Sequence, residues 1–119
     1  MADCALLFCG FSFEETEIVH QVLAAELNQE IDIFSAAAGS GIYINQVLDG
    51  LSPEYVSSDR RFIMFLGFED AMISRALSVF PSEVRRPIFC GLTENNYNWS
   101  TEYLMQHLIE EEMNMKNTQ

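Results

Sequence analysis

The sequence predicts an α/β domain with a four-stranded, mainly parallel sheet flanked by helices, in which a β-α-β-α unit occurs twice. Two observations carry this prediction. Short, near-continuous apolar runs alternate with longer stretches of helical periodicity, the pattern of a sheet buried on both faces by crossover helices. The run Leu6-Leu7-Phe8-Cys9-Gly10-Phe11 also has a counterpart in Ile63-Met64-Phe65-Leu66-Gly67-Phe68. Each is followed by a helical segment, a strand containing Ile-Phe, a turn and a further helix. The halves are expected at about 4–51 and 61–112 of a single domain spanning 1–119, with the order suggesting an internal duplication.

The first apolar run, 4–9, is bounded by Gly10. Ser12-Phe13-Glu14-Glu15 fits a capping box, and Ile18, Val19, Val22, Leu23 and Leu27 then recur at helical spacing, which predicts a helix over 13–28. Residues 31–35 alternate in polarity and predict an edge strand. After the small-residue turn from Ala36 to Gly41, Tyr43, Ile44, Val47, Leu48 and Leu51 predict a helix over 41–49, with Gly50 as its stop. The 51–60 connection carries Pro53 and is the one link that could reverse a strand's direction. Strand 61–66 leads to a helix over 69–80, closed by Pro81. A strand over 87–91 leads through a polar loop, Leu92 to Trp99, to a helix over 100–112, with a frayed tail expected at 114–119.

Composition excludes several functions. The chain has eighteen acids against six Lys and Arg, for a net charge of −12. Nucleic-acid backbones and anionic membranes both demand the opposite sign, so neither is an expected partner. Three cysteines without a C-x-x-C spacing give neither a disulfide framework nor a zinc ribbon. No run has the length of a membrane span, and the start lacks a secretory pattern. The expected setting is therefore the cytosol, with no cofactor and no metal.

Thr93, Asn96 and Trp99 are spaced T-x-x-N-x-x-W, and the helix that follows carries Leu104, Leu108 and Glu111. Over about 62–112 this pattern resembles a small bacterial family, domain of unknown function 3783. The resemblance implies a bacterial origin and a family role for those three residues. It confers no activity, because the family has none established. In the first half, Ala38, Gly41 and Ile44 stand in the comparable turn.

A parallel sheet binds ligands beyond the carboxyl ends of its strands, which here would gather the loops 9–12, 36–41, 67–70 and 91–99. Thr93, Asn95, Asn96 and Trp99 are the first candidate binding residues. Amides that both donate and accept stand there beside a large apolar ring; the plainer reading is that Thr93 and Asn96 tie the turn to itself while Trp99 fills the core. Ser40, in Gly39-Ser40-Gly41, is a candidate anion cradle, and a plain tight turn is its simpler explanation. Cys9 closes a strand before a helix, where a thiol can be activated, but Glu14 and Glu15 follow it and favour a buried core thiol. Cys4 and Cys90 read as core. His20 and His107 read as surface or boundary residues and Glu110-Glu111-Glu112 as a solvated helix face. Arg60-Arg61 and Arg85-Arg86 are expected on the amino edge, in salt bridges with Asp59, Glu83, Glu30 or Asp32. No catalytic constellation assembles. The sequence favours a non-catalytic module that binds a protein or small molecule. A thiol-dependent or phosphate-accepting enzyme using Cys9 is the alternative, and a structural subunit of a homo-oligomer is the third reading.

Overall fold

The computed structural model describes residues 2–117. The elements run β1 (Cys4–Cys9), α1 (Phe13–Leu27), β2 (Ile31–Ala36), α2 (Ile44–Leu48), β3 (Phe62–Leu66), α3 (Asp70–Ser78), β4 (Ile88–Gly91) and α4 (Thr101–Asn117), with a 3-10 turn at Asn96–Asn98. The capping box forms as the sequence implies: Glu15 N–H donates to Ser12 Oγ at 3.1 Å, and Ser12 N–H donates to Glu15 Oε1 at 2.9 Å. Asn28 ends α1 in the left-handed region, where Asn is tolerated better than most residues. The second helix is shorter than expected. Gly41 has φ 74° and Tyr43 is still extended, so the helix begins only at Ile44. The last helix continues past 112 to Asn117, through part of the expected frayed tail, whose final two residues lie outside the described residues.

The four strands form one sheet in the order β2-β1-β3-β4. β1 pairs with β2 in parallel, β3 with β4 in parallel, and β1 with β3 antiparallel. The sheet is thus mixed but mostly parallel, with β2 on an edge as its alternation predicts. Successive strand residues point to opposite faces. Leu6, Phe8, Ile63 and Phe65 pack with Val19, Leu23 and Ala76 of α1 and α3. Leu7, Cys9, Phe62 and Met64 pack with Ile44, Val47, Leu104, Met105 and Leu108 of α2 and α4.

The antiparallel seam corrects one expectation. The loops at 9–12 and 36–41 leave one edge of the sheet, and those at 67–70 and 91–99 leave the other. The cause is the 51–60 connection, which never crosses the sheet. Glu54 N–H donates to Ser35 O and Ser58 N–H to Gly10 O, so the chain is held along the edge where β1 ended and re-enters there, with Phe62 opposite Cys9. A parallel β3 would need a crossover segment instead. For the same reason Arg60-Arg61 and Arg85-Arg86 lie on the carboxyl edge of the first half rather than opposite it.

The two halves follow one path. The residue offset that carries Gly10 onto Gly67 carries Phe13, Ile31 and Ile44, the first residues of α1, β2 and α2, onto Asp70, Ile88 and Thr101, the first residues of α3, β4 and α4. At the seam, Leu7 pairs with Met64, its own equivalent under that offset. Away from the sheet, Tyr43 bridges to Ser100, again its equivalent, through Ile44 N–H to Trp99 O at 2.9 Å and Thr101 N–H to Ile42 O at 2.7 Å. An approximate two-fold relation therefore passes through both pairs. It makes Ala36, Gly39 and Ile42 the counterparts of Thr93, Asn96 and Trp99, replacing the expected Ala38, Gly41 and Ile44.

Gly10 and Gly67 show why the repeated motif needs glycine. Both have positive φ, 87° and 74°. A Cβ on Gly10 would sit 2.7 Å from the Arg60 carbonyl oxygen, and one on Gly67 would strike the Asp3 carbonyl oxygen, the equivalent atom of the other half. Positive φ and backbone obstruction both oppose a side chain.

Arg61 locks the seam. Its guanidinium is 2% exposed, and all five of its N–H donors are engaged. Nε donates to Ser58 O, Nη1 to Glu15 Oε2 at 3.0 Å and Arg85 O, and Nη2 to Glu15 Oε1 and Ser57 Oγ. Its flat face lies 4.5 Å from the centre of the Phe11 ring. Burial alone would raise the Glu15 carboxyl pKa. The Ser12 backbone hydrogen bond, the Arg61 guanidinium and the Ser57 hydroxyl outweigh it and bring the value down to about 2.

Two predictions follow from this seam. The Glu15 carboxylate stabilises the fold fully above its unfolded value near 4.5 and loses that contribution as pH falls toward 2. Urea unfolding of the wild type and Glu15→Gln should differ by about 3 kcal/mol at pH 6 and converge toward pH 2; a pH-independent gap contradicts the lock. Gly10→Ala and Gly67→Ala should each cost more than ~1 kcal/mol, whereas Gly91→Ala, where a Cβ meets nothing, should leave the melting temperature nearly unchanged.

Candidate functional site

The polar loop after β4 first has to satisfy its own backbone. Thr93 N–H donates to Asn96 Oδ1 at 2.9 Å, Asn96 N–H donates to Thr93 Oγ1 at 3.0 Å, and Asn96 Nδ2 donates to Gly91 O at 3.0 Å. Asn96 is buried. These two side chains tie the turn together, as the plainer reading has it. The first-half counterpart of Asn96 is Gly39, at φ 76°, so the chain turns there through a left-handed glycine where the second half has its 3-10 turn.

With the turn held, Asn95 and Trp99 face a cleft of about 300 Å³ between the end of β4, the loop and α4. Cys90, His107 and Glu111 also line it. The Trp99 indole is half-buried and meets His107 edge-on at 5.0 Å and Tyr103 at 4.7 Å, nearly perpendicular to the latter. A second cleft, about 320 Å³, is lined by Tyr43, Asn98, Ser100 and Tyr103 together with Trp99. Tyr43 and Tyr103 are 49% and 56% exposed. His107 Nε2 lies 2.9 Å from Glu111 Oε1, one helical turn on.

The structure therefore brings Thr93, Asn95, Asn96 and Trp99 to one cleft and leaves Ser40 and Cys9 elsewhere. Ser40 is exposed on the opposite loop, and its hydroxyl accepts a long 3.5 Å bond from Ile42 N–H. Cys9 is 1% exposed within the α2/α4 layer, and burial pushes its thiol up to about 12. Cys90 is also raised to about 12, first by burial and then by Cys9 and Glu111. Both thiols stay protonated near neutral pH, so neither is poised as a nucleophile. Among the described residues, no three His, Cys, Asp or Glu side chains gather as a metal-binding group, and no helix is long and apolar enough to cross a membrane.

The first-half edge offers a smaller cleft, about 150 Å³, lined by Ala38, Gly39, Ser58, Arg60, Glu102 and Met105. Its one cation is already occupied, since Arg60 Nη2 donates to Gln106 Oε1 at 2.9 Å, and Glu102 opposes an anion. The other arginines are engaged too. Arg85 pairs with Asp59 at 2.6 Å and Arg75 with Glu26 at 2.6 Å, while Arg86 lies over Phe80 and Phe89.

Sequence reasoning missed Tyr43, Tyr103 and His107 as cleft residues. Trp99, Tyr103, His107 and Glu111 stand four apart, a legible stripe on one helix face. Tyr43 comes from the other half and carries no such signal.

Neither the curated proteins nor the solved structures contain a match to this chain. The family model described as Domain of unknown function (DUF3783) matches residues 61–115, from the start of β3 into α4, a stretch that holds Trp99 and every residue named above in its two clefts except Tyr43.

Proposed function

We propose that this protein is a non-catalytic binding module whose recognition site is the Trp99 cleft. The observation that carries this reading is the placement of Trp99. Half-buried Trp99 lines two open clefts at once, beside the exposed Asn95 amide and two exposed tyrosines. Large rings with adjacent amides are the chemistry of binding hot spots. The raised thiols weigh against an enzyme built on Cys9 or Cys90. The three free cysteines support a reducing, cytosolic setting. The common offset of the two halves supports descent from one duplicated β-α-β-α unit, of which only the second copy kept a polar recognition loop.

Three measurements test this reading. Amide chemical-shift mapping against a fragment and peptide library should perturb Asn95, Trp99, Tyr103 and His107 together; binders that map only to other surfaces would sink the proposal. Asn95→Ala should leave the melting temperature unchanged and weaken those binders, whereas Asn96→Ala should cost about 1–2 kcal/mol of stability by removing the side-chain bonds to Thr93 N–H and Gly91 O. Cys9 and Cys90 should react slowly with a thiol reagent near neutral pH. Rapid labelling of Cys9 would restore the enzyme reading.

A further inference from the structure

We infer that the aromatic cleft recognises arginine side chains on a basic, extended segment of a partner protein. The inference rests on the binding-module reading above and gives that site its chemistry. Three features converge on a cation.

The first is the shape of the walls. Trp99 and Tyr103 stand nearly perpendicular, 82° apart with centroids 4.7 Å apart, and Tyr43 contributes from the other half. The faces of these rings carry the negative lobe of the aromatic quadrupole, and a planar guanidinium stacks on them better than an ammonium does. The second is charge. The protein carries a net −12, and Glu111, exposed on α4, lines the Trp99 cleft itself. The described arginines, by contrast, are engaged elsewhere: Arg61 with Glu15, Arg75 with Glu26, Arg85 with Asp59, Arg60 with Gln106, and Arg86 over Phe80 and Phe89. A cationic guest is therefore drawn to this face by the field of the whole protein and meets aromatic surface on arrival. The third is openness. Both clefts are open and share Trp99, with Asn95 lining one and Asn98 the other, so an extended chain that places a side chain at Trp99 has amides within reach of its backbone.

The partner is accordingly a protein segment with spaced arginines. Trp99 is the sole tryptophan, so its emission reports the site directly. The test titrates the full chain with a synthetic peptide of alternating arginine and glycine, its lysine counterpart and its glutamate counterpart, at two salt concentrations. The expected result is a saturable change in Trp99 emission with the arginine peptide, weaker binding of the lysine peptide and none of the glutamate peptide. Tyr103→Ala should weaken the arginine peptide at least about fivefold, and Tyr43→Ala should weaken it too. Both tyrosines are exposed, and circular dichroism should show the fold intact. Arginine-peptide binding that ignores both tyrosine substitutions and disappears with salt would overturn the inference in favour of diffuse attraction. Silence of Trp99 toward the arginine peptide would overturn it as well. If shift mapping nevertheless finds a neutral or acidic fragment at Asn95 and Trp99, the binding module stands and only its cationic preference falls.

Discussion

The buried guanidinium of Arg61 is the contact on which the architecture depends. It is placed where α1 is beginning and β3 is about to start, and it bonds at once to Glu15 of α1, to Ser57 and Ser58 of the connection and to Arg85 ahead of β4, while its face lies over Phe11 just past β1. Removing one partner of such a pair strands the other charge in a dry place, at a cost of roughly 3–5 kcal/mol. The geometry also does topological work. By tying the entry of β3 to the cap of α1, it brings the returning chain in beside Cys9, and β3 can then run only antiparallel to β1. The two-fold relation between the halves does not extend to this chemistry. The position equivalent to Arg61 is Cys4, whose thiol makes a 3.5 Å contact with Gly67 O. One end of the seam is closed by an ion pair and the other by a small apolar side chain.

The fold was legible wherever it is local. Strands and helices follow from apolar periodicity and from the capping box at Ser12, and their predicted boundaries differ from the observed ones chiefly at α2 and α4. The shift at α2 has a tertiary cause: Ile42 and Tyr43 are held extended by pairing with Trp99 and Ser100 of the other half. The direction of β3 was not legible, because it is set by hydrogen bonds from 54 and 58 to Ser35 and Gly10 and by an ion pair between Glu15 and Arg61. Glu15 is legible as a capping residue, but no spacing in the sequence marks its pairing with Arg61 or the bonds that hold the connection.

The candidate site was half legible for the same reason. The T-x-x-N-x-x-W spacing marks a loop, and the structure divides its residues by role: Thr93 and Asn96 spend their polar atoms on the turn, leaving Asn95 and Trp99 to face outward. Ser40, a candidate cradle through Gly39-Ser40-Gly41, was grouped with that loop because all carboxyl-edge loops were expected together. Once β3 reverses, its loop leaves the opposite edge. Tyr43 enters the cleft only through the bridge between the halves, a contact that no single-segment pattern encodes.

The central position of β1 and β3 has a consequence for how the chain must fold. These are its most apolar strands, and each lies at the rim of its own half, so a half formed by itself would present an unpaired hydrophobic edge to any other strand in reach. Only the long-range pairing centred on Leu7 and Met64 hides both. That pairing joins residues far apart in sequence, so it carries the chain-closure cost that non-local contacts impose, and any state without it leaves both edges open to other chains. Covalent linkage lowers that cost, because it makes the meeting of the two strands an intramolecular event.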